Sequence, residues 1–264
     1  QAGACPDEWN LENPEAIERV ALSYVEAGSR IILTNTFGAS RLMLDRHGLA
    51  DKAAAINRAG AEISCRAAKD KAYVFGSIGP TGKMLFTGEV GETELSEGFE
   101  EQASALAEGG VHGIVIETMS ELDEAKLALR AARKTGLPVV VSMVYDSGQE
   151  FDRTMMGTTP EEAAQQLKNE GADVIGANCG MGMEFILPVC KRLRAATDLP
   201  VWIKPNAGMP EYVNGKIMYN ITPAQFATYA VKVREAGANF IGGCCGTNPD
   251  FIRELKISLG KKGQ

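Results

Sequence analysis

Short apolar runs alternate with longer amphipathic ones along the whole chain. Seven runs read as strands: "SRIILTNTFG", "AYVFGSIGPTG", "VHGIVIETMS", "LPVVVSMVYD", "ADVIGANCG", "LPVWIKPNAG" and "ANFIGGCCG". Each is too short for a typical helix and closes on turn-forming residues. The segments between them carry helical spacing. "NPEAIERVALSYVEAGS" offers Asn13 as an N-cap, Pro14 in the first turn and Gly28 at the end. "TELSEGFEEQASALAEGG" repeats its apolar residues at helical intervals. "SELDEAKLALRAARKTG" opens with acids and closes with bases, which suits the helix dipole. "TPEEAAQQLKNEG" and "TPAQFATYAVKVREAG" both begin Thr-Pro and end on glycine.

Strands that are apolar on both faces and separated by helices predict a parallel sheet covered by helices. No compositional break divides the chain, so residues 1–264 read as a single domain. The repeating unit and the length predict an α/β fold of the (β/α)8 TIM-barrel type. A doubly wound open sheet is the alternative, weakened because no G-x-G-x-x-G follows the first strand. An eight-stranded barrel needs one more strand than these seven. The first helix follows "QAGACPDEWN" almost directly, so that strand is expected upstream of Gln1.

Composition narrows the partners. A formal net charge of −7 argues against a nucleic-acid groove or an anionic membrane as the main partner. No apolar run approaches the roughly 20 residues of a membrane-spanning helix, and the opening "QAGACPDEWN" leads us to expect no signal peptide. The six cysteines form no small-domain disulfide framework. A reducing, cytoplasmic setting is expected, in which cysteines are buried, metal-bound or catalytic.

Three cysteines stand out by position. Cys179 ends the run "ADVIGANC", and Cys244 and Cys245 end "ANFIGGCC". In a barrel these would be strands six and eight, and active sites form at the C-terminal ends of the strands. Neighbouring residues on a strand normally point to opposite faces. Both members of a vicinal pair reach one ion only where the backbone turns, which Gly242, Gly243 and Gly246 permit. Three thiolates with one open position describe a catalytic zinc site. The competing readings are a small buried apolar side chain, assigned here to Cys65 and Cys190, and a strained vicinal disulfide. Cys5 is given no role.

"GANCG", "KPNAGMP" and "GGCCGTNP", in this order, resemble the homocysteine S-methyltransferase family, as do "TNTFG", "SIGPTG" and "ETMSEL". The resemblance spans essentially the whole chain. It is nearer to the homocysteine-binding domains of the cobalamin-dependent members than to the betaine-dependent ones. It implies a barrel carrying Zn²⁺ on Cys179, Cys244 and Cys245, with the homocysteine sulfur as fourth ligand. The sequence departs from the family in three places: the opening D-G-x-M-G-T strand is missing, Ser77 replaces an acid, and "NPDFI" replaces P-E-H-I.

The chemistry follows from elementary acidity. A free alkyl thiol has a pKa of about 8.5, and coordination to zinc deprotonates it. Three protein thiolates leave the metal electron-rich, so a bound substrate sulfur stays nucleophilic towards an activated methyl group. The amino-acid end of the substrate also needs a partner. Glu117, closing "GIVIE", suits an α-ammonium group, and the resemblance gives it that role. Asn206 in "KPNAG" can donate and accept and is expected as a second contact. Lys204 is given no role. His47 and His112 read as structural, and Met155 and Met156 as cover over the barrel top or a donor-docking surface.

The expected activity is therefore homocysteine methylation to methionine. The expected donor is methylcobalamin on a separate corrinoid-carrying domain or protein. S-methylmethionine or betaine as donor, or a noncatalytic zinc- or thiol-binding barrel, are the alternatives.

Overall fold

The computed structural model describes residues 5–213 and 215–260, and contacts divide the chain into two compact units, Gln1–Val140 and Val141–Gln264. The first unit contains α1 (Trp9–Glu12), α2 (Pro14–Ala27), β1 (Ile31–Leu33), α3 (Arg41–Asp45), α4 (Ala53–Ala68), β2 (Tyr73–Ile78), α5 (Glu92–Glu108), β3 (Gly113–Met119) and α6 (Leu122–Arg133). Strand β4 (Val139–Met143) begins in it and ends in the second. β1 pairs in parallel with β2, and β2 with β3.

Helix α2 starts with proline and stops at Gly28, whose φ of 99° places it in the left-handed region that favours glycine. Asn13 stands at the N-cap, but its side chain makes no capping bond. The same residue ends α1, where its N–H donates to the carbonyl of Trp9. Serving that turn leaves its backbone at φ −146° and ψ 58°, away from the extended conformation in which a cap oxygen reaches forward. A buried cluster of Cys5, Ala39, Leu44, Leu49, Ala53 and Ile56 packs this end of the unit. Cys5 is therefore a core residue.

The second unit continues with α7 (Pro160–Asn169), β5 (Val174–Cys179), α8 (Met183–Ala196), β6 (Val201–Pro205), a hairpin of β7 (Pro210–Val213) and β8 (Lys216–Tyr219), α9 (Pro223–Glu235), β9 (Phe240–Ile241) and α10 (Pro249–Gly260). β5 pairs in parallel with β6, and β6 with β9. The two Thr-Pro starts are full capping boxes: Thr159 with Glu162, and Thr222 with Gln225. Phe226 and Phe251 meet edge to face at 5.3 Å within a core that includes Met183, Ala207, Ala227 and Leu255. Burying each of the Phe, Met and Leu side chains contributes about 1.5–3 kcal/mol, and each alanine methyl less.

Within each unit the sheet strands lie in chain order, without the reversal that defines a doubly wound sheet. All seven strands read from the sequence are present, parallel and alternating with helices, and the fold is that of the TIM-barrel class. The hairpin was not among the seven runs. It carries exposed Tyr212 and Ile217 on one face. No helix among the described residues is long and apolar enough to cross a membrane.

Candidate metal centre

The end of the second unit's sheet is built from three chain segments: the end of β5, the segment after β9 and the turn after β6 that carries Asn206. β5 ends on Cys179, whose φ is 61°, a left-handed conformation that a non-glycine residue adopts at a cost. Gly180 follows with φ 69°, and a Cβ there would stand 2.8 Å from the carbonyl oxygen of Tyr145. This twist turns the Cys179 side chain out of the pleat of β5.

The second segment is "GGCCG". It extends the parallel ladder beyond β9: the N–H of Gly242 donates to Ile203 and that of Cys244 to Pro205. The chain then turns, with the N–H and hydroxyl of Thr247 both donating to the carbonyl of Cys244. The turn ends the alternation that would send Cys244 and Cys245 to opposite faces. Gly246, at φ 80°, lies under the ring of Tyr219 at the base of the hairpin, where a Cβ would come 2.3 Å from Cγ.

The three sulfurs of Cys179, Cys244 and Cys245 lie within 4.8 Å of one another. Cys179 Sγ and Cys245 Sγ are 3.8 Å apart. Zinc–sulfur bonds of about 2.3 Å in a tetrahedron place sulfurs about 3.8 Å apart. The donor set thus fits a zinc ion with three protein thiolates, and no other candidate metal group occurs among the described residues. Half-buried Cys179 and Cys244 and exposed Cys245 leave the centre open on one side.

The thiols share their protons unequally. Cys244 is pulled well below the ordinary thiol value, because the Cys179 and Cys245 thiols donate to its sulfur, with help from Lys204 and Asn178. Cys179 is pushed up as the donor to that thiolate and as a partly buried group. Lys204, given no role from sequence, therefore contributes positive charge at this centre; its ammonium also lies 5.9 Å from the centroid of the Trp202 ring.

Asn206 sits between the two cysteine-bearing segments. Its Nδ2 donates to the carbonyl of Gly180 at 2.8 Å, and its Oδ1 accepts from the N–H of Cys245 at 3.1 Å. Both ends of the amide are engaged with backbone. Asn178, which the sequence reading passed over, is buried at the end of β5. It accepts from the Ser142 hydroxyl at 2.7 Å and donates to Cys244 Sγ at 3.8 Å. Its only signal in the sequence is its place immediately before Cys179.

Glu117 lies on β3 in the first unit, buried at 5% exposure. The Ser77 hydroxyl donates to its Oε1 at 2.6 Å. Ser77 is fixed in turn by the "TNT" segment: its N–H donates to Thr34 Oγ1, and Thr36 Oγ1 donates to its carbonyl. The buried carboxylate of Glu124 likewise accepts from the N–H and hydroxyl of Thr81, which explains the "SIGPTG" turn, and burial raises its pKa. His112 is structural, its Nδ1 accepting from the N–H of Val74. Cys190 is fully buried, whereas Cys65 is only half-buried because its thiol reaches the carbonyl of Gly110 at the surface. Met155 is exposed.

The sequence profile described as Homocysteine S-methyltransferase matches residues 3–259. The chain is 28% identical over 97% of its length to the methionine synthase of Mycobacterium leprae (strain TN), and 29% identical over 97% to that of Mycobacterium tuberculosis (strain ATCC 25618 / H37Rv). It spans 22% of the length of each of these relatives. Among solved structures, the metallated form of the homocysteine methyltransferase MmuM from Escherichia coli superposes with a TM-score of 0.79 at 24% identity, covering 95% of this chain and 86% of that one.

Proposed function

Because the chain belongs to the homocysteine S-methyltransferase family, we propose that it methylates homocysteine to methionine at the three-cysteine centre, with zinc held by Cys179, Cys244 and Cys245. The observation that carries this reading is the cluster of three thiols within 4.8 Å of one another, with the Cys179–Cys245 pair at the 3.8 Å of a tetrahedral site and Cys245 exposed. Zinc bound there would bring a thiol in its open position, of ordinary pKa about 8.5, to the thiolate at neutral pH. The substrate sulfur would lose its proton to solvent and attack the methyl carbon, and the donor would depart with the electron pair of its broken bond to carbon.

The chain's own residues set this up. Asn206 joins the segments bearing Cys179 and Cys245, so the protein sulfurs are placed before a substrate arrives. Glu117 is the proposed partner of the substrate ammonium group, supported by its buried carboxylate and by the resemblance of "ETMSEL" to the family. Ser77 donates to that carboxylate and helps to orient it. The proposed donor is a methylcorrinoid carried by a separate domain or protein, and the proposed setting is a reducing cytoplasm. The resemblance of the strand-end motifs and the likeness to methionine synthases support the donor assignment.

The test supplies methylcobalamin, S-methylmethionine or betaine separately to the zinc-loaded protein with homocysteine and measures methionine. Methylcobalamin is expected to work poorly but measurably, since the contacts of its carrier are missing. Turnover with S-methylmethionine or betaine alone overturns the donor. Full zinc occupancy in Cys179→Ala, Cys244→Ala or Cys245→Ala overturns the ligand assignment, while Cys65→Ala and Cys190→Ala should keep the metal.

A further inference from the structure

Three groups in the second unit form a hydrogen-bonded line that ends on a sulfur. Ser142 lies in β4 and is fully buried. Asn178, in the penultimate position of β5, is 1% exposed. The Ser142 hydroxyl stands 2.7 Å from Asn178 Oδ1, and Asn178 Nδ2 stands 3.8 Å from Cys244 Sγ. The orientation of the amide follows from its neighbours. Reversing it would set the carbonyl lone pairs of Asn178 against the lone pairs of the sulfur. With the NH₂ group on the sulfur, the oxygen faces Ser142, whose hydroxyl must donate.

We propose that Ser142 and Asn178 are positioning residues for the metal centre: Ser142 locks the Asn178 amide, and Asn178 donates an N–H···S hydrogen bond that fixes and tunes the Cys244 thiolate. The inference deepens the proposed function and rests on its metal assignment.

Two physical effects follow. First, a buried donor aimed at Cys244 restricts the rotamer of that side chain, so the sulfur waits where the metal needs it. Second, a hydrogen bond draws electron density from a thiolate. A less basic Cys244 gives less charge to the metal, which then draws more on the remaining, open position. The line is directional, since each donor faces the next acceptor, and bonds in such a chain strengthen one another. Partners behind metal ligands commonly alter affinity by roughly 10- to 100-fold. The vicinal cysteines differ in this respect. Cys245 is held through its backbone N–H by Asn206, and Cys244 through its sulfur by Asn178.

The test uses Asn178→Ala and Ser142→Ala in the full chain, loaded with cobalt(II) as a spectroscopic substitute for zinc. Zinc affinity is measured by competition with a chromophoric chelator. Removing an N–H···S bond raises the energy of the sulfur lone pair. The sulfur-to-cobalt charge-transfer band should therefore move to longer wavelength in Asn178→Ala. The shift should be smaller in Ser142→Ala, where the amide stays but is no longer locked. Zinc affinity should fall by roughly 10- to 100-fold in the first and less in the second. A general loosening of the fold would lower metal content without moving the band of the fraction that binds. An unchanged band in both variants overturns the relay, and Ser142→Ala alone decides it should Asn178→Ala not fold. If the wild-type protein binds neither zinc nor cobalt, the metal reading fails, and this inference falls with it.

Discussion

Asn206→Ala separates a brace from a substrate contact. The side chain is 5% exposed and makes two bonds, Nδ2 to the Gly180 carbonyl at 2.8 Å and Oδ1 from the Cys245 N–H at 3.1 Å. Gly180 follows Cys179 directly, so one amide ties together both segments that carry the thiols. Alanine removes both bonds. Gly180 is half-buried and Cys245 exposed, so water replaces part of each bond and the cost stays near about 1 kcal/mol apiece. A total of about 2 kcal/mol falling on the metal-competent arrangement corresponds to about 30-fold weaker zinc binding. The strands on either side keep their ladders, so the melting temperature should drop by only about 4–8 °C. Zinc affinity is read by chelator competition, and homocysteine affinity is read separately on the zinc-saturated variant. If Asn206 served the amino-acid end of the substrate instead, zinc affinity would be preserved and homocysteine binding lost. Zinc affinity within about twofold of wild type, the usual scatter of such differences, would refute the brace.

Two further outcomes are expected. Glu117→Gln should weaken homocysteine binding by about 1.5–3 kcal/mol, the range for a hydrogen bond to a charged group, with zinc content unchanged; Ser77 can still donate to the amide oxygen, so a loss of zinc in equilibrium dialysis would contradict the role. Gly246→Ala should lower both thermal stability and zinc affinity, because the residue sits at φ 80° and its new Cβ meets the Tyr219 ring. Adding Tyr219→Ala should recover the part due to the clash but not the roughly 1–2 kcal/mol due to the backbone conformation, a partition that a double-mutant cycle measures.

The order of elements was legible in the chain alone. Period-two and period-3.6 patterns depend on residues close in sequence, and so do the Thr-Pro helix starts and the glycine at the end of α2. The hairpin from Pro210 to Tyr219 carries a comparable local signal, an Asn-Gly pair between two short runs, but the stronger strand end at "KPNAG" beside it dominates the local pattern. Candidate cysteines could be picked out because strand-end positions follow from the strand pattern. Their convergence also follows from the strand-end rule of a barrel; the left-handed backbone at Cys179 and the bend at Thr247, which bring the sulfurs within 4.8 Å of one another, do not, because sequence spacing does not encode them. The same holds for Asn206 and Asn178. An asparagine after a strand reads equally as a turn former, a ligand contact or a brace, and the choice is made by which donors and acceptors the fold brings within 3 or 4 Å. Ser142 gave no signal at all, because a serine in an apolar run looks like a neutral core position until its hydroxyl has a partner 36 residues away in the chain. Local sequence set the elements. Long-range packing decided which polar groups face one another, because a buried hydrogen bond needs both partners in place at once.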